Sequence, residues 1–263
     1  MSALHISLVA DPVLHFGPLV LNNSLLAGLV GSLVIMVLFI TATRFMKLHP
    51  TGGLANLIET ISEAILNLVE QVTHNRAKAL RFFPLLMTLF LFILVNNWLG
   101  LLPGVGSITV AGPHGPTPLF RAATADLNTT LALALISVVM TQVYAMRELG
   151  VAAHLKKYIS LNPVLLFVGL LEFFAEFSKM ISFSFRLFGN IFAGEVLLVV
   201  IAYLAPALAP LPFFLLELFV GFVQALVFTM LSLVVLEIAT TAHGGHNEHK
   251  EKASGLDPVE VHA

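Results

Sequence analysis

The sequence predicts an all-α polytopic membrane protein. Five transmembrane helices are expected, the last two forming a long, tilted hairpin, with an amphipathic interfacial helix besides. Three observations carry this. Of 263 residues, 58% are apolar and only 11% are charged; soluble domains hold about 45–50% and about 25% respectively. The apolar residues gather into five stretches, each long enough for the ~20 residues that a crossing helix needs. Basic residues then alternate between the connecting segments. A soluble enzyme, a disordered chain and a secreted disulfide scaffold are all excluded. The absence of Cys removes thiol nucleophiles and Cys-ligated metals together.

The first crossing spans 24–43 and carries no charge. It does not read as a signal peptide, because 1–23 has no Lys or Arg and the apolar run is too long. The segment 1–23 stands as an N-terminal stretch outside the membrane. The second crossing is expected over 82–102 and the third over 127–146. Between the first two, Leu54, Leu57, Ile58, Ile61, Ile65, Leu68 and Val72 recur at helical spacing, with Glu59, Glu63 and Glu70 elsewhere. An interfacial helix over 54–80 follows, lying on the membrane surface or against a partner's helix. The fourth helix runs over 163–203 and the fifth over 213–242, separated by Pro206, Pro210 and Pro212. Residues 24–242 thus form one membrane domain, and 243–263 a solvated, flexible tail.

Charge sets the orientation. Arg44, Lys47, Arg76, Lys78 and Arg81 lie between the first two crossings, and Arg147, Lys156 and Lys157 follow the third. The segment after the second crossing has only Arg121, and the 204–212 break has no basic residue. This alternation follows the positive-inside rule, with the N-terminus outside and the C-terminus inside. Parity then allows two crossings after residue 162, since four leave no room for turns. The fourth helix, about 40 residues, would be about 60 Å long against a hydrocarbon core of about 30 Å. It is therefore expected to tilt, bend or run partly along the interface.

Arg186 lies near the middle of that helix. A charge at the bilayer centre costs about 2.5–3.5 kcal/mol on insertion scales. Arg holds its proton, so it is a poor proton carrier and a good fixed positive charge. It points to an acidic partner that must lose a proton; the plainer reading is an Arg satisfied by backbone carbonyls at a helix contact. Glu195 follows by two and a half turns, about 13.5 Å further along and about 180° around. The two residues therefore serve different faces. Glu217, early in the fifth helix, shares a face with Gly221, Gln224 and Phe228. Glu195 and Glu217 reach similar depth, either as a proton relay or as a shared-proton pair tying the helices. Glu172, Glu176, Lys179 and Ser182 lie nearer the inside, as a vestibule or as an interfacial charge cluster, and Glu237 reads the same way. Asp126 is an N-cap or a channel residue. Asn96 and Asn97 bond between helices or line an outer pocket. The His-rich tail (His243, His246, His249) reads as solvated.

The run Ser182-Phe-Ser-Phe-Arg186-Leu-Phe-Gly-Asn190-Ile-Phe-Ala-Gly-Glu195 resembles the signature of subunit a of F-type ATP synthases. Leu161-Asn-Pro163, Asp126-Leu-Asn-Thr-Thr130, Asn96-Asn-Trp-Leu-Gly-Leu-Leu-Pro103 and Gln224-Ala extend the resemblance over about residues 24–242. It implies a non-catalytic stator subunit beside a rotating ring of c subunits, with two offset half-channels that couple proton flow to ATP synthesis. Arg186 would face the ring carboxyl. Asn190, Glu195, Glu217, Gln224 and Asp126 would line or support the outer half-channel, and Glu172 and Ser182 the inner one. Some members carry His where this chain has Glu217, and this chain departs from them in having Glu at both 195 and 217.

The implied partners are the c-subunit ring, the peripheral-stalk b subunits, the other synthase subunits and the lipid bilayer, with no nucleic acid. The implied setting is a bacterial plasma membrane. No cofactor or metal is expected, and no G-x-x-x-x-G-K-[ST] loop is present. The rivals are a Na⁺-coupled version of the same subunit, a secondary transporter, for which no internal repeat is found, and an intramembrane enzyme, for which no H-E-x-x-H is found.

Overall fold

The computed structural model describes residues 12–16, 19–45, 53–102, 108–112, 115–151, 163–205 and 208–241. The tail at 243–263 lies outside them. Seven of the described elements matter most for the site. Helix α1 is Asn23–Phe45, α2 Gly53–Thr73, α3 Arg76–Leu101, α4 Leu127–Leu149, α5 Pro163–Leu204 and α6 Pro210–Thr241. A single 3₁₀ turn, Ala123–Ala125, precedes α4. Five helices are long and apolar enough to cross a membrane, and α2 is not among them. The protein is an all-α, multi-pass membrane protein.

Two antiparallel hairpins add to the expected elements. Strands β1 (Pro12–Phe16) and β2 (Leu19–Asn22) pair with Phe16 opposite Leu19. Strands β3 (Thr109–Gly112) and β4 (Gly115–Pro118) pair with Gly112 opposite Gly115. Both lie at one end of the bundle, where the Asn23 side-chain amide donates to the Pro118 carbonyl at 3.3 Å. This is called the hairpin end below. Strands of four or five residues are too short to carry a periodicity readable from sequence.

The interfacial helix needs correcting. It was expected over 54–80, and the structure ends it at Thr73 and starts α3 at Arg76. The break has a local cause. His74 takes a left-handed backbone (φ 50°). The Asn75 side chain then accepts hydrogen bonds from the amides of Ala77 (2.9 Å) and Lys78 (3.2 Å), capping α3. The second crossing therefore starts six residues before the expected Phe82. The apolar face of α2 also has a partner in its own chain. Ile65 and Val69 are buried on α3, while Asn56, Thr60, Glu63, Asn67 and Gln71 form an exposed polar face.

Helix α3 is the centre of the bundle, packed by α1, α2 and α6. Phe82, Leu86 and Ile93 of α3, Phe228, Leu233 and Leu236 of α6 and Leu187 of α5 are fully buried together. Pairs of small hydroxyls tie neighbouring helices where apolar packing alone gives no register: Ser137 of α4 donates to Ser232 of α6 at 2.8 Å, and Thr130 of α4 meets Ser184 of α5 at 3.0 Å. Helix α5 has 42 residues, about 63 Å of helix. It packs on α4 and α6. Its other faces expose Phe167, Leu171, Phe174 and Phe177, side chains that lipid accepts without cost. Pro163 and Pro210 sit at the first positions of α5 and α6, where the missing N–H has no helical partner to lose.

Close approach at the hairpin end depends on Gly100 in α3. A Cβ there would collide with Ala122 of the segment leading into α4. Gly100→Ala should therefore destabilise the fold by about 1–3 kcal/mol. The check is the thermal unfolding midpoint of the purified protein in detergent. Gly53→Ala, which faces open space, should leave that midpoint unchanged or raise it.

Candidate ion path

Three polar zones follow one another along α5. The first is a cavity of about 370 Å³ at the hairpin end, lined by Asn97, Arg121, Glu195 and Glu217 among apolar neighbours. Glu195 is held by Arg121, whose Nε donates to the carboxylate at 3.0 Å. The Arg121 side chain is only 7% exposed, and its guanidinium lies 5.6 Å from the centre of the Phe192 ring. Glu217 projects from α6 and is 7% exposed. Its Oε1 is buried without a hydrogen-bond partner. No hydrogen bond joins Glu195 to Glu217 among the described residues; Glu195 instead bonds to Arg121, a stronger partner for a carboxylate than a second carboxyl.

Glu217 reaches this cavity because position 194 is glycine. A Cβ on Gly194 would overlap the Glu217 carboxyl. Gly221, Gln224 and Phe228 share the buried face of Glu217, as the spacing predicts. The cavity wall is stiffened from α3. The Asn97 amide donates to the Gly221 carbonyl at 3.0 Å and accepts from Thr124 at 2.6 Å. Trp98 Nε1 donates to the Leu218 carbonyl at 3.1 Å. Asn97 thus bonds between helices and lines the cavity. Asn96 instead donates to the Phe92 carbonyl of its own helix, and its Oδ1 is buried without a partner.

The second zone is Arg186, about 13.5 Å along α5 from Glu195. Its side chain is exposed, and among the described residues nothing pairs with it. It rises from a strip of small exposed residues, Ser178, Ser182, Gly189 and Ala193. The opposite side of the helix is buried through Phe183, Ser184, Leu187 and Ile191. Arg186 and Glu195 thus face different surroundings, as their spacing predicts. Asn190, one turn beyond Arg186, donates to Gln224 Oε1 at 3.3 Å. The Nε2 of Gln224 is buried without a partner.

The third zone lies towards the other end. Lys179 pairs with Glu176 at 2.9 Å, and Lys78 of α3 pairs with Glu237 of α6 at 2.8 Å. In each case the second carboxylate oxygen is buried and unpartnered. A cavity of about 320 Å³ between α4 and α5 has Gln142 and Glu176 among its lining. Glu172 is half-buried one turn before Glu176. Ser182 does not join this cluster; it sits on the exposed strip one turn before Arg186.

Asp126 caps α4, accepting from the Asn128 amide at 3.0 Å, and also accepts from Ser24 of α1 at 2.7 Å. It is not among the residues lining the cavity. It holds the corner from which Arg121 projects. The sequence reading missed Arg121, Thr124, Trp98 and Gly194 as site residues. Arg121 carried a signal: it is the only basic residue between the second and third crossings.

Fold and site together define a multi-pass membrane protein that keeps charged groups at three depths, one of them a mid-helix cation with no partner among the described residues. The chain belongs to the ATP synthase A chain family, whose model matches residues 25–237. Among similar proteins, ATP synthase subunit a of Geotalea uraniireducens is 36% identical over 208 residues, covering 78% of this chain and 81% of that one. ATP synthase subunit a of Campylobacter jejuni subsp. doylei is 35% identical over 222 residues, 83% of this chain and 90% of the relative.

The fit of Glu217 against Gly194 can be measured. Gly194→Ala should destabilise the fold by about 1–3 kcal/mol through overpacking. Adding Glu217→Ala should remove most of that penalty in a double-mutant cycle. Additive penalties in thermal unfolding would show that the carboxyl is not what the new methyl meets.

Proposed function

We propose that this chain is the proton-translocating stator subunit of the membrane sector of an F-type ATP synthase. The observation that carries the reading is Arg186, exposed and without a partner among the described residues, in the middle of the longest described helix. An unpaired cation in hydrocarbon is costly. Its counter-charge must come from outside the chain, and a carboxylate on a ring of c subunits supplies it. The small residues around Arg186 let such a ring approach closely.

The chemistry follows from charge alone. A ring carboxyl crosses lipid only when neutral, because ionisation there is unfavourable. Beside Arg186 the carboxylate is the stable form, so the proton leaves. The cavity holding Glu195 and Glu217 serves as the half-channel on the hairpin side, with Asn190 and Gln224 at its inner limit and Asp126 supporting its wall. Glu172, Glu176 and the α4–α5 cavity serve the other side. Glu176 and Glu195 stand about 28 Å apart along α5, close to the thickness of the hydrocarbon core of about 30 Å. Arg186 sits between them and blocks a direct leak. A proton can then cross only by riding the ring. Each charge moved through 100 mV delivers about 2.3 kcal/mol, and this drives rotation. The chain itself carries out no phosphoryl chemistry. Its partners are the c ring, the peripheral-stalk b subunits and the remaining synthase subunits. It resides in a bacterial plasma membrane, with the hairpin end and N-terminus outside and the C-terminus in the cytoplasm.

The test is ATP-driven acidification of inverted vesicles containing the whole complex in Na⁺-free buffer. Wild type should pump, and Arg186→Ala at equal assembly should fall to background. Pumping by the variant at the wild-type rate would overturn the role of Arg186. Pumping by wild type only after Na⁺ is restored would change the ion and keep the architecture. Orientation has its own test, made clean by the absence of native cysteine. A membrane-impermeant maleimide should label Thr109→Cys in intact cells and Gln71→Cys only in inverted vesicles. The reverse pattern would invert the topology.

A further inference from the structure

We propose that Arg121 is a positioning residue of the proton path, clamping the Glu195 carboxylate to the cavity wall and leaving Glu217 as the carboxyl that takes up and releases the proton. This rests on the proton-path reading above and assigns its parts.

Arg121 does not come from either helix that carries the carboxyls. It comes from the segment between β4 and α4, which is buried from Arg121 through Asp126. That segment is anchored at several points. Thr124 donates to Asn97 at 2.6 Å, Asp126 accepts from Ser24 at 2.7 Å, and Ala122 lies against Gly100. The guanidinium is therefore presented from a rigid corner, not from a flexible loop. On its far side Arg121 also lines a second cavity of about 130 Å³ with Ala27, Val30 and Leu99. The Phe192 ring flanks the guanidinium, an arrangement favourable for a cation.

The two carboxyls of the main cavity are thus unequal. Glu195 is tied by a charge-assisted hydrogen bond at 3.0 Å to a cation that does not give up its proton. Glu217 faces the same space with no ion pair or hydrogen bond among the described residues, and one of its oxygens is buried. Glu195 stays as the standing anion that balances Arg121. A proton arriving from the hairpin side forms an O–H bond on Glu217. That bond breaks again when the proton moves on towards the ring carboxylate.

The test uses the assembled complex in inverted vesicles, reading ATP-driven pumping against ATP hydrolysis and the amount of assembled subunit. Arg121→Gln should pump about tenfold more slowly than wild type, the scale of coupling between groups in direct contact. Arg121→Lys should recover most of the rate, because the charge remains. Arg121→Gln combined with Glu195→Gln should pump no more slowly than Glu195→Gln alone, because both act through one carboxylate. Glu217→Gln should pump more slowly than Glu195→Gln. The proposal is overturned if Arg121→Gln pumps like wild type, if the losses multiply in the double variant, or if Glu217→Gln outpaces Glu195→Gln. Should Arg121→Gln fail to assemble, the exchange of Arg121→Glu with Glu195→Arg keeps the pair. It should assemble and pump, and its failure to assemble would overturn the proposal. Arg186→Ala in the same vesicles separates the two levels. If Arg186→Ala pumps normally, the underlying reading falls. If it is silent while Arg121→Gln pumps normally, only the role of Arg121 falls.

Discussion

Hydrocarbon offers no hydrogen bonds and little dielectric screening, so a charge placed there must bring a partner or find one. The structure is organised around this constraint. Lys78 has Glu237, Arg121 has Glu195, and Lys179 has Glu176. Arg186 has no partner among the described residues. Arg76 with Glu70 and Arg81 with Glu148 are paired as well, so Arg186 stands apart as a mid-helix cation with no described counter-charge. Lys78–Glu237 joins α3 to α6, Arg121–Glu195 joins the corner before α4 to α5, and Lys179–Glu176 links neighbouring turns of α5. Breaking such a pair by removing one side leaves the other charge stranded, which is costlier than the net worth of the pair.

The same constraint applies to neutral polar groups. At the hairpin end, Ser24, Asn97, Trp98, Thr124 and Asp126 hydrogen-bond α1, α3, α6 and the corner before α4 into one assembly. Glycine makes room for it. Gly100 admits Ala122 and Gly194 admits the Glu217 carboxyl. Side-chain size at these two positions therefore controls whether polar groups on different helices can meet at all. Buried polar atoms without a described partner remain on Asn96, Glu176, Glu217, Gln224 and Glu237. An unmet hydrogen-bonding capacity inside a bundle is a place for water or a mobile proton.

Helix α5 shows how excess length becomes useful. At about 63 Å it is twice the hydrocarbon thickness, and it is held by α4 and α6 on part of its surface only. One side belongs to the bundle, and another presents Arg186 among Ser182, Gly189 and Ala193. A single helix thereby meets the cavity at one end and the lysine–glutamate cluster towards the other, with the exposed Arg186 in between.

The sequence by itself determined the five crossings, the long last hairpin, the mid-helix position of Arg186 and the opposite facing of Glu195, because hydropathy and helical periodicity are local properties. It also placed Glu217, Gly221, Gln224 and Phe228 on one face. Its misplaced boundary at 54–80 has a local cause too: a polar break at His74–Asn75 hides inside a charged stretch that reads as continuous amphipathic helix. What only the tertiary structure decided is pairing. Arg121 and Glu195 are 74 positions apart, and nothing in either neighbourhood names the other. Asp126 became a cap and a tie to α1, and Ser182 joined Arg186 instead of the inner cluster, because helix rotation and packing set these outcomes. A charge states in sequence that it needs a partner; which partner it finds depends on how the helices close together.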